Sequence, residues 1–190
     1  MNTVEPIRDE SIVLDFADYL KNKRKRDYVL FMTGVHTGLR ISDILPLKVR
    51  DVRNSDYLYY LKEQKTQKTS KVKINEELKE IFKEYIVGMR DYEYLFKKEK
   101  GKNRNEPISR QRVWQILNEA ANEFEYKERI GCHTLRKTFG YLLYQQTHDA
   151  VTLQDIFNHS TMEYTKRYIG VDQDNKDKMY SSLSFKKKRR

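Results

Sequence analysis

Four short stretches of this 190-residue chain carry side chains that suit work on one bond. "TGLRISD" (37–43) places Arg40 at a loop-to-helix junction, with Asp43 just after it. "HTLR" (133–136) sets His133 and Arg136 three apart at a helix start, so they project on neighbouring parts of one face. "QKTQKTSK" (64–71) holds Lys65 and Lys68 on a hairpin tip. "NHSTMEYTKRYIGV" (158–171) puts His159 nine residues ahead of Tyr168, with Tyr164 one helical turn before it. Two arginines, two histidines, a lysine and a tyrosine suit attack on a phosphodiester. Such attack piles negative charge onto the non-bridging oxygens, and guanidinium forks match those oxygens while staying charged at any working pH. Fixed donors aimed at developing charge usually supply the largest catalytic term. A tyrosine hydroxyl can attack and conserve bond energy in a phosphotyrosine. Its free pKa is about 10, so it needs a partner to take its proton, and histidine suits that. A hairpin lysine suits protonation of a leaving sugar oxygen.

These residues must be held by one compact domain, the size that 190 residues allow with a real core. Lys and Arg total 38 against 28 Asp and Glu, a formal net charge of +10, which favours a polyanionic partner. The single cysteine, Cys132, excludes an intramolecular disulfide framework and a cysteine-based zinc cluster, and fits a reducing cytoplasm. No signal peptide and no apolar run of the roughly 20 residues needed to span a bilayer is visible. With only 7 Gly, no glycine-rich phosphate loop is present, and no metal or nucleotide cofactor is expected.

The spacing of apolar residues predicts helices over 9–23, 26–38 and 41–47, the second stopped by Gly38 and the third limited by Pro46. "DYLYYLKEQ" and "SKVKIN" alternate and are rich in strand formers, which predicts two strands joined by the polar turn "KTQKT" (65–69). Helices follow over 75–89 with Asn75 as cap, 109–124 with Ser109 as cap, and 134–147. A charged loop, 97–107, precedes the second of these. Three short helices close the chain, over 152–159, 161–171 and 172–183. The "KKKRR" end (186–190) reads as a basic tail.

The four stretches, in this order, resemble the tyrosine recombinases, the phage integrase family. "TGLRISD" is similar to its first arginine motif, "HTLR" to its H-x-x-R motif, and "NHSTMEYTKRYIGV" to its histidine-to-tyrosine segment. The likeness runs from about residue 25 to 171. It implies a mainly α fold with a small antiparallel sheet (α+β): helices packed around a core, with a three-stranded sheet at one edge. It implies that Arg40 and Arg136 clamp the scissile phosphate and Lys65 protonates the leaving 5′ oxygen. His133 then acts as acid or base near the nucleophile, His159 hydrogen-bonds the phosphate, Tyr168 attacks, and Asp43 supports the site. Lys68, Lys71, Arg110, Arg112 and Lys137 are expected to hold the DNA backbone.

The implied activity is site-specific recombination through a 3′-phosphotyrosyl link, serving a phage or mobile element. The implied partners are double-stranded DNA, further copies of the chain in a DNA-bound synaptic tetramer, and accessory DNA-bending proteins, with no membrane. Three departures from the family stand out. Phe157-Asn158-His159 replaces the usual Leu-Gly-His, and Asn is the next-best residue to Gly for a left-handed turn. The hairpin tip lacks the frequent glycines, so Lys65 is preferred to Lys68 on spacing alone. Family members usually carry a DNA-binding domain ahead of the catalytic one. Here about 25 residues precede the catalytic region. The expectation is therefore one catalytic domain, 1–185, plus the tail, either as an excised piece or as a compact natural form. The C-terminal helix, with Met179, Tyr180, Leu183 and Phe185 on one side, docks on a neighbouring protomer or packs on its own domain.

Two other readings remain beside this one: a non-catalytic DNA-binding protein retaining the fold, and relaxation of the type IB topoisomerase kind. Tyr164, one of 14 tyrosines, reads as a packing residue, and so do Cys132 and Trp114. His36 and His148 have no partner pattern.

Overall fold

The computed structural model describes residues 4–63, 68–99 and 105–184. Helix α1 (Glu10–Lys23) starts at Asp9, whose carboxylate accepts from the Ser11 amide. Helix α2 (Lys25–Thr37) lies at the centre, buried at Val29, Leu30, Phe31, Met32 and Thr33 in succession, because α1, α5 (Glu76–Tyr85) and α7 (Cys132–Thr147) all pack against it. It stops at Gly38, which takes the left-handed conformation that glycine tolerates best (φ 61°). Two single-turn helices follow, α3 (Ile41–Ile44) and α4 (Val49–Val52). Asn75 caps α5 and Ser109 caps α6 (Arg110–Glu123), each accepting a main-chain N–H as their side chains predict.

The sheet is a correction. Strands β1 (Tyr57–Glu63) and β2 (Lys68–Lys73) pair antiparallel, Tyr57 opposite Lys73 and Tyr60 opposite Ser70, with an irregularity between Leu61 and Glu63. Among the described residues the expected third strand is not found. Residues 93–97 do run beside 47–49, with Leu95 N–H donating to Leu47 O and Val49 N–H to Glu93 O, but only the Lys48–Tyr94 pair forms a bridge. The ladder cannot extend because Val49 already opens α4. At the other end Lys97 pairs with Pro107 in a single bridge, flanked by Lys98 N–H to Glu106 O and Ile108 N–H to Phe96 O.

The chain closes with α8 (Ala150–Phe157), α9 (Met162–Ile169) and α10 (Val171–Ser182). Asn158 ends α8 in the left-handed conformation (φ 54°, ψ 47°), so asparagine keeps the turn where the family usually has glycine. The apolar interior divides in two. A large core joins α1 through α7, and a small one gathers Leu153, Phe157, Ile169 and Val171 with the half-buried Phe139, Tyr144 and Tyr168. Gly140 lets α7 approach this small core. A Cβ there would sit 2.7 Å from both Ile169 Cγ2 and the Phe157 ring. Only Val171 of α10 is buried, and Met179, Tyr180 and Leu183 are 75%, 81% and 69% exposed, so their apolar side does not pack on the described domain.

Gly140→Ala is expected to overpack this junction, at a cost of about 1–3 kcal/mol. Thermal denaturation checks it: the melting temperature should fall by about 3–10 °C, and an unchanged value would mean that α9 is not seated on α7 as described.

Candidate active site

Arg136 lies one turn into α7, on the face turned toward α2 and α8, and is only 6% exposed. Its Nη1 donates to Gly38 O (2.5 Å), at the end of α2, and its Nη2 to Phe157 O (3.1 Å), at the end of α8. Its guanidinium stacks 4.2 Å from the Phe157 ring centre. A buried cation costs several kcal/mol unless its donors are met, and these two carbonyls and one ring answer that. The Tyr168 side chain, which α9 presents from the other side, lies in the field of the same guanidinium.

Tyr168 is half-buried. Its ring meets Phe157 edge-on (5.6 Å) and His159 nearly so (5.0 Å), with Lys137 Nζ 5.3 Å from its centre. Burial pushes its hydroxyl above the usual phenol pKa, while the charges of Arg136 and Arg40 pull the other way. The phenol is therefore protonated at neutral pH, and attack requires a base.

Arg40 is exposed at the start of α3, and its charge acts on Asp43, His133, His159 and Tyr168 alike. The two arginines thus serve one centre. Asp43 lies in the same field: burial raises its pKa against the pull of Arg40 and Arg136. Among the described residues no ion pair joins Asp43 to the Arg40 guanidinium.

Both site histidines are neutral at pH 7. His133, on the groove wall, is lowered first by partial desolvation and then by the charges of Arg110, Arg136, Arg40 and Lys137. His159 is lowered to about 4, by burial first and then by Arg136 and Arg40. Its tautomer follows from the hydroxyl it meets. Thr165 Oγ1 lies 3.1 Å from Thr161 O and 3.0 Å from His159 Nδ1, and a proton on Nδ1 is the arrangement that lets the hydroxyl donate to the carbonyl while accepting from the ring. Nδ1 carries the proton, and Nε2 is left as the basic nitrogen.

The groove in front of these groups is about 1050 Å³ and is lined by Val4, Arg110, Gln111, Trp114, His133, Lys137, Tyr164, Arg167 and Tyr168 among others. A smaller recess of about 290 Å³ lies between Arg40 and His133. Trp114, read from sequence as a packing residue, is 45% exposed on the groove wall, because its position faces away from the stripe of Val113, Ile116 and Leu117. Tyr164 is 47% exposed and caps His159 edge-on at 4.7 Å. No sequence signal separated either from a core aromatic.

The expected DNA contacts divide. Arg110 is exposed and lines both recesses. Lys71 is exposed on β2 with its ammonium over the Tyr57 ring (4.4 Å). Arg112 is engaged with Glu119 (2.9 Å) and Gln115 (3.2 Å). Lys137 is corrected: it is 5% exposed, and its Nζ donates to Val4 O (2.8 Å), because its place in α7 faces the N-terminal segment. Lys65 lies outside the described residues, and of Lys68 only the main chain, opposite Glu63, is described. The tail, 186–190, lies outside them too. His36 Nδ1 accepts from Asn75 Nδ2 (2.9 Å), and His148 ends α7 in the left-handed conformation. Among the described residues, no cluster of His, Cys, Asp and Glu suits a metal ion and no helix is long and apolar enough to cross a membrane.

The lowered His159 pKa has a sign that can be checked. As pH falls, the unfolded chain takes up this proton near 6.5, and the folded chain only near 4. His159 therefore costs stability progressively between those values and contributes nothing at pH 7. Denaturation across that window should show a weaker decline in His159→Gln than in the unaltered chain. Nitrogen-15 spectra should show the Nδ1–H tautomer at pH 7.

Comparisons with known proteins show the family and the fold. The model of the phage integrase family matches residues 9–175. The probable integrase/recombinase YoeC of Bacillus subtilis is 49% identical over 174 residues, covering 92% of this chain and 93% of that protein. The tyrosine recombinase XerH of Helicobacter pylori is 26% identical over 84% of this chain, which spans 45% of that protein. Among solved structures, XerH bound to a palindromic difH substrate, a post-cleavage complex, superposes with TM-score 0.71 at 20% identity, over 95% of this chain and 53% of that one. The catalytic domain of bacteriophage HP1 integrase superposes with TM-score 0.60 at 20% identity, over 95% of this chain and 99% of that one.

Proposed function

Because the chain belongs to the phage integrase family of tyrosine recombinases, we propose that it cleaves and rejoins DNA strands with Tyr168 as the nucleophile. One observation carries the assignment of the site. The half-buried Tyr168 phenol lies in the field of the Arg136 and Arg40 guanidinium groups, the same two charges that help to lower both site histidines.

Arg40 and Arg136 hold the non-bridging oxygens of the scissile phosphate and stabilise the charge that grows there. Tyr168 Oη attacks phosphorus, and the bond to the 5′ oxygen breaks. His133, neutral at pH 7, takes the phenolic proton. Lys65 gives a proton to the departing 5′ oxygen. The products are a 3′-phosphotyrosine and a free 5′ hydroxyl. The 5′ hydroxyl of a partner strand then attacks the same phosphorus, and the phenol leaves. No step calls for a metal or a nucleotide. His159 donates to the phosphate only once its Nε2 is protonated. An arriving phosphate supplies the negative charge that favours that form.

Residues 1–185 act as one catalytic domain, followed by the basic tail. Arg110 and Lys71 contact the backbone of double-stranded DNA, for which the net charge of +10 is suited. The work is done in a synaptic tetramer, with accessory DNA-bending proteins as further partners, for a phage or mobile element. The exposed apolar side of α10 supports docking on a neighbouring protomer.

A nicked duplex that traps the covalent intermediate tests the chemistry. The unaltered chain should form an adduct resistant to denaturation, and Tyr168→Phe should form none while binding the duplex within about twofold of normal. Arg136→Lys keeps the charge but loses the fork, so adduct formation should slow by about 100-fold or more. Absence of any adduct from the unaltered chain, with binding intact, would leave a DNA-binding protein that only retains the fold. For α10, Met179→Asp with Leu183→Asp should abolish strand exchange between two duplexes while leaving cleavage of one within about threefold. Equal loss of both would mean that α10 serves its own protomer.

A further inference from the structure

Residues 4–8 precede the stretch matched by the family model, yet they touch α7, α10 and the corner between α9 and α10. Val4 O accepts from Lys137 Nζ (2.8 Å), whose ammonium lies over the Tyr168 ring. Ile7 N–H donates to Thr138 Oγ1 on α7 (2.9 Å), and Ile7 itself is 1% exposed. Arg8 Nε donates to both carboxylate oxygens of Asp174 on α10 (3.0 and 3.2 Å), and the Asp174 charge acts on Tyr141 of α7 as well. Arg8 lies over the Tyr141 ring at 5.7 Å, while Glu5 bonds Arg8 from the other side (3.1 Å). Gly170, the left-handed corner between α9 and α10, lies beside Arg8 and Pro6: a Cβ there would come within 3.0 Å of Arg8 Nη2 and meet Pro6 at ordinary contact.

The need for such a contact follows from the divided interior. α9 is seated only on the small core, and elements with few buried apolar contacts open most readily. We propose that residues 4–8 form a strap that holds the α9–α10 corner, and with it Tyr168, against α7 of the same chain, with Arg8 and Asp174 as the positioning pair. Docking in cis is thereby set by a segment outside the helices that carry the site. Loosening the strap frees α9 from Arg136. The effect on cleavage rests on the reading of Tyr168 as nucleophile; the attachment of α9 does not.

Hydrogen exchange in the DNA-free chain and single-turnover adduct formation at saturating nicked duplex test this together. Arg8→Ala and Asp174→Ala should each speed exchange in 162–169 about tenfold and slow adduct formation about tenfold, with duplex affinity within about twofold. The double variant should be no worse than either single one, as expected of one shared interaction. Asp174→Glu should recover most of the rate. Unchanged exchange in α9, additive losses, or a rise in α2 exchange as large as in α9 would overturn the strap. A parallel loss of affinity and rate would instead make Arg8 a DNA contact and overturn its positioning role. If the unaltered chain forms no adduct, the nucleophile reading fails, and exchange alone decides the strap.

Discussion

The arrangement depends on one buried cation. Arg136 cannot leave water unless its donors are met, and the partners that meet them come from separate parts of the chain: the end of α2 and the end of α8, whose Phe157 ring also lies under the guanidinium. Satisfying the guanidinium therefore brings those parts to one point. The two carbonyls also set its plane, so the fork is oriented before any ligand arrives. Two local features make the carbonyls available. Gly38 ends α2 in a left-handed turn, and Asn158 ends α8 in the same way, each leaving the preceding helix early enough for a main-chain oxygen to face Arg136.

The electrostatics have one theme. Positive charge from Arg40, Arg136, Arg110 and Lys137 accumulates around groups that are themselves uncharged at pH 7. His133 and His159 are held neutral, and the Tyr168 phenol is held protonated. Such a site is poised for an anion. On the proposed reading, a phosphate changes the protonation preferences of its neighbours by arriving, because its charge opposes the same field that keeps the histidines neutral. That places proton transfer after binding rather than before it.

The divided interior separates two duties. The large core fixes Arg40, Asp43 and the start of α7, while the small core carries His159 and Tyr168. They meet through Arg136 and at Gly140. A nucleophile on a small, separately packed unit can be withdrawn or presented at modest cost in stability. An apolar side of α10 left uncovered by its own domain belongs to the same logic.

Much of this was legible in the residues. Helix starts at Asn75 and Ser109, the stop at Gly38, the hairpin, and the left-handed turn at Asn158 all follow from local chemistry that acts within a few residues. The order of the arginine, histidine and tyrosine boxes pointed to the family before any coordinates. The rest was decided by contacts between residues far apart in the chain. Lys137 looks like any surface lysine until residues 4–8 cover it, and Trp114 looks like core until the helix face on which it falls is known. The third strand fails because a neighbouring segment has already turned into a helix. The sequence alone determined which side chains were present and how each short stretch would fold. Only the tertiary structure decided which of them lose water together, and that shared burial is what aligns Arg136 with Tyr168 and lowers His159.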